Sequence, residues 1–272
     1  MIKSDIQNPF NAPVYHEENL SSTMDFSRQL AAQGAPHGTV IIADFQEKGR
    51  GRGNNRTWEM ERGDDLAFTV LLRFQSIKNI SSALTLRAGL ALSLAIEDFL
   101  PCLKSKVMVK WPNDIIINDK KTAGILCEAD GGNVFLGIGV NLRQRVFPEY
   151  LQKATSIYNE QVAGSSEGEG KREEGEGRRE KGRENIGRFV LLERILFRLY
   201  DELENTARLN WKACLEKRLY KIGEDIVFFD GAADSRKEVS GQLAGIGENG
   251  ELLIFSYDER EIKSYITGEI KL

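Results

Sequence analysis

The amino-acid sequence predicts an α+β fold, in which a mixed β-sheet with packed helices is followed by a small all-β unit. The first part of the chain alternates strand-like apolar runs with runs of helical periodicity, whereas the chain after Asp225 contains only short strand-like runs separated by turn residues. The length of 272 residues has room for a large and a small domain. We therefore predict a domain over residues 1–222 and a second one over residues 223–272.

The first helix and two buried strands are expected near the start. Ser22 or Thr23 can cap a helix that runs to about Gln33. The apolar runs Thr39 to Phe45 and Leu66 to Phe74 are typical of buried strands. This order places helices against a sheet.

A longer helix and a sheet meander are predicted next. Ser81 or Ser82 can cap a helix that must end before Pro101, because proline lacks the N–H that a helix interior needs. The strand-like runs that follow are Val107 to Trp111 with Ile115 to Ile117, Ala123 to Cys127, and Val134 to Leu142. The polar turn Asn118 to Lys121 is typical of a hairpin between two of these runs.

The chain changes composition at Ala163 to Arg188, where Gly, Glu, Arg and Lys replace almost every apolar residue. We interpret this segment as a solvated loop rather than an RNA-binding tail, since its glutamates would repel phosphate. Phe189 to Glu204 has helical periodicity, and a second helix is expected to continue to Leu219. Beyond it, Glu248-Asn249-Gly250 indicates a hairpin within a barrel of about five strands.

Composition excludes several classes of protein. Hydrophobic residues make up 41% and charged residues 29%, which disfavours wholly disordered and membrane-spanning chains. The formal net charge of -4 argues against a basic nucleic-acid coat. Cys102, Cys127 and Cys214 show no disulfide or zinc spacing, and the N-terminus lacks the apolar core of a signal peptide. A cytoplasmic protein without membrane attachment is therefore expected.

The segment GRGRGNNRTW, Gly49 to Trp58, concentrates arginines among glycines and ends in an aromatic ring. Glycines let backbone amides approach an anion, guanidinium groups bind phosphate or carboxylate, and the ring can stack on a base. The pattern alone also fits a solvated turn or single-stranded nucleic-acid binding.

Two further motifs carry lysines. KWPNDI, Lys110 to Ile115, places polar side chains at a strand end, where α/β sheets commonly bind ligands. KKTAGILCE, Lys120 to Glu128, returns beside it after the hairpin, and its lysine could offset charge that develops during acyl or phosphoryl transfer. An Asx-capped turn and an exposed lysine are the alternative interpretations.

Taken in order with GIGVNL, Gly137 to Leu142, these motifs resemble the biotin protein ligase family, also called biotin–acetyl-CoA-carboxylase ligase. The resemblance extends from about Glu18 to Arg143 and from about Gly223 to Leu272. There, GQLAGIGENGELLI and ITGEIKL are similar to the small SH3-like C-terminal domain of that family.

The resemblance implies an enzyme that takes biotin and ATP with Mg²⁺, forms biotinyl-5′-adenylate, and acylates one lysine of a biotin carboxyl carrier domain. A loop that folds over the reactive adenylate would shield it from water. A lipoate ligase with related chemistry and a catalytically silent binding module remain the alternatives. The chain starts without the winged helix-turn-helix of some relatives, so we expect no DNA binding; a homodimer is a further expectation.

The resemblance also implies residue roles. The residues implied for biotin binding are Ser22, Thr23, Met24, Gln46, Arg50, Gly51, Gly124 and Leu126. Those implied for ATP or adenylate binding are Gly49, Arg50, Arg52, Arg56, Trp58, Lys110, Asn113 and Asn141. The catalytic candidates are Lys121, Arg52 and Arg56, and Asp114 is the candidate Mg²⁺ ligand. The chain departs from the family at Met24, where Asn is usual, and its loop is one residue longer before Arg56.

Overall fold

A computed structural model describes residues 2–53, 56–166, 187–205, 210–231 and 237–271. Within these ranges the chain forms an eight-stranded sheet in the order β1-β2-β3-β4-β8-β7-β6-β5, and β2–β3 is its parallel pair. The strands are β1 (Ile2–Lys3), β2 (Val14–Leu20), β3 (Thr39–Gln46), β4 (Leu66–Arg73), β5 (Met108–Lys110), β6 (Asp114–Ile117), β7 (Lys120–Asp130) and β8 (Asn133–Val140). The sheet is therefore mixed, as predicted.

Helices cover both faces of this sheet. They are α1 (Thr23–Ala32), α2 (Leu84–Phe99), α3 (Ile157–Ser166), α4 (Arg188–Leu203) and α5 (Trp211–Glu216). Helix α2 packs on β5, β6 and β7 and against α4, and this side holds the main hydrophobic core. Helix α1 packs on the other side of β3, β4 and β8, where Met24, Leu71 and Phe135 form a smaller apolar cluster.

A second, antiparallel sheet of five strands follows, in the order β12-β11-β10-β9-β13. Its strands are β9 (Asp225–Asp230), β10 (Lys237–Ile246), β11 (Leu252–Ser256), β12 (Glu261–Tyr265) and β13 (Gly268–Ile270). The predicted number of strands is confirmed. The predicted hairpin at Asn249-Gly250 is also present: a turn at Gly250, with a φ of 89°, joins β10 to β11. Closure into an SH3-like barrel and the predicted domain boundary stay predictions.

Several sequence predictions are confirmed. Ser22 is the N-cap of α1, and its side chain accepts a hydrogen bond from the Met24 N–H. The predicted meander is present as the antiparallel run β5-β6-β7-β8. Asn118 and Asp119, both with positive φ, form the tight turn between β6 and β7.

Other predictions are wrong in detail. The N-cap of α2 is Ala83, which has no side-chain cap bond, because the Ser82 hydroxyl instead donates to the Asn249 carbonyl of the second sheet. Strand β2 and helix α3 were not predicted. The charged segment is shorter than expected, since Ala163 lies within α3 and Arg188 begins α4; residues 167–186 of it lie outside the described residues.

No helix among the described residues is both long and apolar enough to cross a membrane. The three cysteines are free.

Candidate functional site

A cleft of about 490 Å³, including its open mouth, lies on the α1 side of the first sheet. Its floor contains three glycines on neighbouring strands: Gly124 pairs with Gly139, and Gly137 pairs with Leu126. A Cβ atom on Gly139 would lie 2.4 Å from the Trp58 ring, and one on Gly137 would lie 2.9 Å from the Met24 sulfur. Glycine at position 139 therefore makes room for the indole ring, whereas at position 137 the flexible Met24 side chain could shift.

One end of the cleft is a hydrogen-bonding corner at the start of α1. The Gln46 side-chain oxygen accepts from the Thr23 N–H at 2.8 Å and from the Thr23 hydroxyl at 2.9 Å. The Thr69 hydroxyl donates to the Thr23 hydroxyl oxygen at 2.9 Å. Met24 closes this end with an apolar side chain that is 4% exposed. The corner thus combines fixed polar groups with one apolar wall.

The other end holds Lys121, which a β-bulge turns toward the cleft. Ile115 pairs with Ala123, but Ile116 pairs with Lys121, so Thr122 is the extra residue of β7. An inserted residue re-aims the side chains next to it. Lys121 consequently faces the same side as Gly124, and its Nζ lies 2.6 Å from Asp114 Oδ1. This puts an ammonium group at the rim of the glycine floor.

The arginine-rich segment folds over the cleft as a narrow hairpin. The Trp58 N–H donates to the Gly49 carbonyl at 3.0 Å, and the Gly51 N–H donates to the Arg56 carbonyl at 2.8 Å. A Cβ on Gly49 would lie 2.4 Å from the Trp58 carbonyl oxygen, which explains the glycine there. The Trp58 indole rests on the floor, and its buried Nε1 has no partner among the described residues. A buried donor without an acceptor is costly.

Arg50 and Arg52 of this hairpin are bound by groups of the same chain. Arg50 lies 2.9 Å from Asp25 of α1 and 3.5 Å from Glu128 of β7. Arg52 donates to the Gly268 carbonyl at 2.7 Å. The hairpin is therefore attached to the first sheet on one side and to β13 on the other.

Arg56 makes the strongest attachment to the second sheet. Its Nη2 donates to Glu269 Oε2 at 2.6 Å, and this hydrogen bond is the main cause that raises the pKa of Arg56. Burial favours the neutral form of Glu269, but the hydrogen bond from Arg56 and the charges of Lys110 and Arg52 outweigh it, so the pKa of Glu269 lies below its ordinary value. Both groups are therefore ionised near neutral pH.

The KWPND motif is a short hairpin that joins the two sheets. Lys110 pairs with Asp114 across the ends of β5 and β6. Between them, the Trp111 indole N–H donates to the Gly250 carbonyl at 3.0 Å and its ring packs against Phe228. The Asn113 side chain donates to the Ile125 carbonyl at 2.8 Å, which fixes the hairpin to β7.

The structure brings most of the predicted site residues into one cleft. The predicted residues that line it are Ser22, Thr23, Met24, Gln46, Arg50, Gly51, Arg52, Trp58, Asn113, Lys121, Gly124 and Leu126. Those outside its lining are Gly49, Arg56, Lys110, Asp114 and Asn141. Asn141 is buried, and its amide donates to the Thr155 carbonyl, which favours a framework role over a nucleotide contact.

Part of the lining lies outside the residues that the motifs indicated. The residues not predicted are Phe68, Ile125, Gly137, Ile138 and Gly139. The alternating glycines of GIGVNL were the available signal, because glycine inside a strand often marks the close approach of another group.

Asp114 lies between two lysines. One Asp114 oxygen is 2.6 Å from Lys121 Nζ and the other is 3.9 Å from Lys110 Nζ. Among the described residues, no group of three or more His, Cys, Asp or Glu side chains could hold a metal ion. Mg²⁺ at a nucleotide site usually takes only one or two carboxylates, together with water and the phosphates of the substrate. The role of Asp114 as an Mg²⁺ ligand therefore stays a prediction.

Comparisons with known proteins agree with this geometry. The family model described as the biotin/lipoate A/B protein ligase family matches residues 17–144. The chain is 38% identical over 159 residues to the bifunctional ligase/repressor BirA of Bacillus subtilis, covering 56% of this chain and 47% of that protein. It is 35% identical over 145 residues to the biotin–[acetyl-CoA-carboxylase] ligase of Mycobacterium tuberculosis, covering 53% of each. The aligned parts thus span about half the length of these curated relatives.

The fold is also similar to that of solved structures. The biotin protein ligase from Aquifex aeolicus in complex with biotin and ATP aligns with a TM-score of 0.72 and 26% identity, covering 95% of this chain and 97% of that one. The family match includes the polar corner, the arginine hairpin and the bulged strand that carries Lys121. Residues 17–144 of this chain therefore match the model of the biotin/lipoate A/B protein ligase family, and 95% of the chain aligns in fold with a solved biotin protein ligase.

Proposed function

We propose that this protein is a biotin protein ligase. It would join biotin and ATP to form biotinyl-5′-adenylate and pyrophosphate, and then transfer the biotinyl group to a lysine of a carrier domain such as that of acetyl-CoA carboxylase. The observation that carries the proposal is the arrangement of one cleft, with a polar corner, a glycine floor and a cationic end in succession. The relatives named as biotin ligases support it.

The corner and the floor suit the two parts of biotin. The Thr23 N–H and hydroxyl both bind the Gln46 oxygen, which orients the Gln46 side chain so that its NH₂ group can donate to a polar ring. Met24 offers an apolar contact to the other edge of that ring. The floor over Gly124 and Gly139 fits an alkyl chain, which a side chain at either position would exclude. The indole of Trp58 now rests on this floor, so it would shift when the chain of biotin enters.

Lys121 would meet the carboxyl group at the cationic end of the floor. In the first step, a carboxylate oxygen attacks the α-phosphorus of ATP and pyrophosphate leaves with its bonding electrons. In the second step, the amine of the acceptor lysine attacks the acyl carbon, AMP leaves, and the amine loses its proton. The ammonium of Lys121 and the guanidinium groups of Arg52 and Arg56 would compensate the negative charge of these species.

The identity of the partner is also part of the proposal. The acceptor would be a biotin carboxyl carrier domain, since relatives are named after acetyl-CoA carboxylase. A cytoplasmic location is also proposed, because free cysteines are typical of a reducing compartment. Absence of DNA binding and formation of a homodimer stay predictions.

The test is exchange of labelled pyrophosphate into ATP, which reports the first step without a carrier. Purified protein is given biotin or, as the control acid, lipoate. Exchange with biotin alone supports the proposal, whereas exchange with lipoate alone would reassign the protein to lipoate ligation. Silence with both acids in folded protein would favour a binding module and contradict the proposed activity.

A further inference from the structure

Five charged side chains of alternating sign connect the second sheet to the reacting end of the cleft. Arg56 lies 2.6 Å from Glu269, and Glu269 lies 3.9 Å from Lys110 Nζ. Lys110 Nζ is also 3.9 Å from Asp114, which is 2.6 Å from Lys121. Lys110 therefore lies between two carboxylates, Glu269 and Asp114. Glu269 pairs with Arg56 and Asp114 pairs with Lys121, and both of these cations are proposed to bind the ligand.

The centre of this row of charges, at Lys110, is buried. Lys110 is 1% exposed and Asp114 8% exposed, and the Glu269 side chain is 22% exposed. A buried carboxylate without a partner is strongly unfavourable, so Asp114 needs a cation at all times, and a cation also stabilises the half-buried Glu269. Arg56 and Lys121 supply the short contacts, Lys110 faces both acids from the middle, and the charge of Arg52 also acts on Glu269.

Binding of an anionic ligand would disturb this balance. When ATP or the adenylate draws Lys121 and Arg56 toward its phosphates, Asp114 and Glu269 lose their closest cations. We propose that Lys110 is a positioning residue, a resident counter-ion that stays with Asp114 and Glu269 and so lets Lys121 and Arg56 move to the ligand. This inference rests on the proposed function, because it concerns the same anionic substrates.

The pKa of Lys110 lies below its ordinary value, and two carboxylates limit this shift. Burial lowers the pKa of Lys110, and the charges of Lys121 and Arg52 act in the same direction. Asp114 on β6 and Glu269 on β13 oppose this effect and favour the ammonium form. The residue reaches both carboxylates because β5 ends at Lys110, directly beside the hairpin turn that faces the second sheet.

The test replaces Lys110 with methionine, an unbranched side chain one atom shorter that removes the charge. Without the resident cation, Asp114 and Glu269 hold Lys121 and Arg56 more tightly, and we expect the KM for ATP in pyrophosphate exchange to rise about tenfold. Binding of biotin methyl ester, which has no carboxylate, should change less than about twofold. Lys78→Met, at an exposed position outside the cleft, is the matched control.

A second-site variant separates this role from a direct ligand contact. Adding Glu269→Gln to Lys110→Met removes one carboxylate together with the cation, so Arg56 is released while Asp114 still holds Lys121. The KM for ATP should therefore fall from about tenfold to about threefold above the wild-type value. An unchanged KM in Lys110→Met, or no recovery in the double variant, would overturn the inference. If the single variant fails to fold, the double variant decides: a KM within about threefold of the wild-type value supports the role, and a KM about tenfold higher refutes it.

The two proposals fail in different ways. Wild-type protein that is silent with biotin contradicts the proposed ligase activity. Wild-type protein that is active, together with a Lys110→Met variant of unchanged KM for ATP, contradicts only the role of Lys110.

Discussion

Replacing Lys121 with alanine removes the cation at the reacting end of the cleft and leaves its partner behind. Lys121 Nζ lies 2.6 Å from Asp114, which is 8% exposed. Loss of one preorganised donor to a developing charge costs about 2.7 to 4 kcal/mol, or about 10²- to 10³-fold in rate. We therefore expect pyrophosphate exchange with biotin to fall by this factor in Lys121→Ala.

The same change also affects stability. Asp114 keeps only Lys110, 3.9 Å away, so it loses its close partner, at a cost of about 1 to 3 kcal/mol. A loss of this size lowers the Tm of a domain of this length by about 2 to 4 °C per kcal/mol. Thermal unfolding followed by circular dichroism measures it.

A double variant separates the two effects. Lys121→Ala with Asp114→Asn removes the unpaired carboxylate, so the Tm should recover while exchange stays low. Lys120→Ala, at the adjacent exposed lysine, is the control and should keep both wild-type exchange and Tm. Wild-type exchange in the double variant would refute the assignment of Lys121 to charge compensation.

Two further predictions concern the cleft and its hairpin, and a third concerns the buried carboxyl group of Asp65. Glu269→Gln weakens the attachment of the arginine hairpin, so amide hydrogen exchange over residues 49–53 should become faster, and unchanged protection would contradict the anchoring role. Gly139→Ala places a Cβ 2.4 Å from the Trp58 ring, so biotin affinity should fall at least tenfold and tryptophan fluorescence should change; unaltered affinity would exclude this floor as the binding surface. Burial raises the pKa of Asp65 from 3.8 to about 7, despite backbone hydrogen bonds from Glu61 and Leu142, so the folded state retains a proton that the unfolded state releases between these values. The free energy of unfolding should therefore fall as pH rises from about 4 to about 7; Asp65→Asn should lose this slope in urea titrations, and a slope that persists would contradict the assignment.

The helices and strands that were predicted correctly are those with apolar periodicity or an N-cap residue. Helix α1 begins where Ser22 predicted, and β3 and β4 follow their buried apolar runs. Strand β2 was missed because its centre is polar: it contains His16, Glu17, Glu18 and Asn19, and among its residues only Val14 is fully buried. Its strand conformation depends on pairing with β3, which is a tertiary contact.

The parts of the site that belong to sequence motifs were predictable, because most of the motif residues line the cleft. Residue types indicated the arginine hairpin and Lys121, but spacing alone could not show that a bulge at Thr122 turns Lys121 toward Gly124. Nor could the sequence show that Arg56 contacts Glu269, since the two residues are 213 positions apart. Contacts of this kind depend on how the two sheets meet.

The place where the sheets meet explains why the KWPND and arginine motifs occur together with the C-terminal strands. Trp111 contacts the Gly250 carbonyl, Arg52 the Gly268 carbonyl and Arg56 the Glu269 carboxylate. The second sheet thus supplies hydrogen-bond acceptors for the arginines of the hairpin. Without these acceptors, the arginine charges would repel one another and Lys121, which lines the same cleft. Because a phosphate would compete for the same arginines, occupancy of the cleft by the proposed substrate and attachment of the loop to β13 would be coupled by charge. The second sheet is therefore part of the electrostatic environment of the site as well as a neighbour of it.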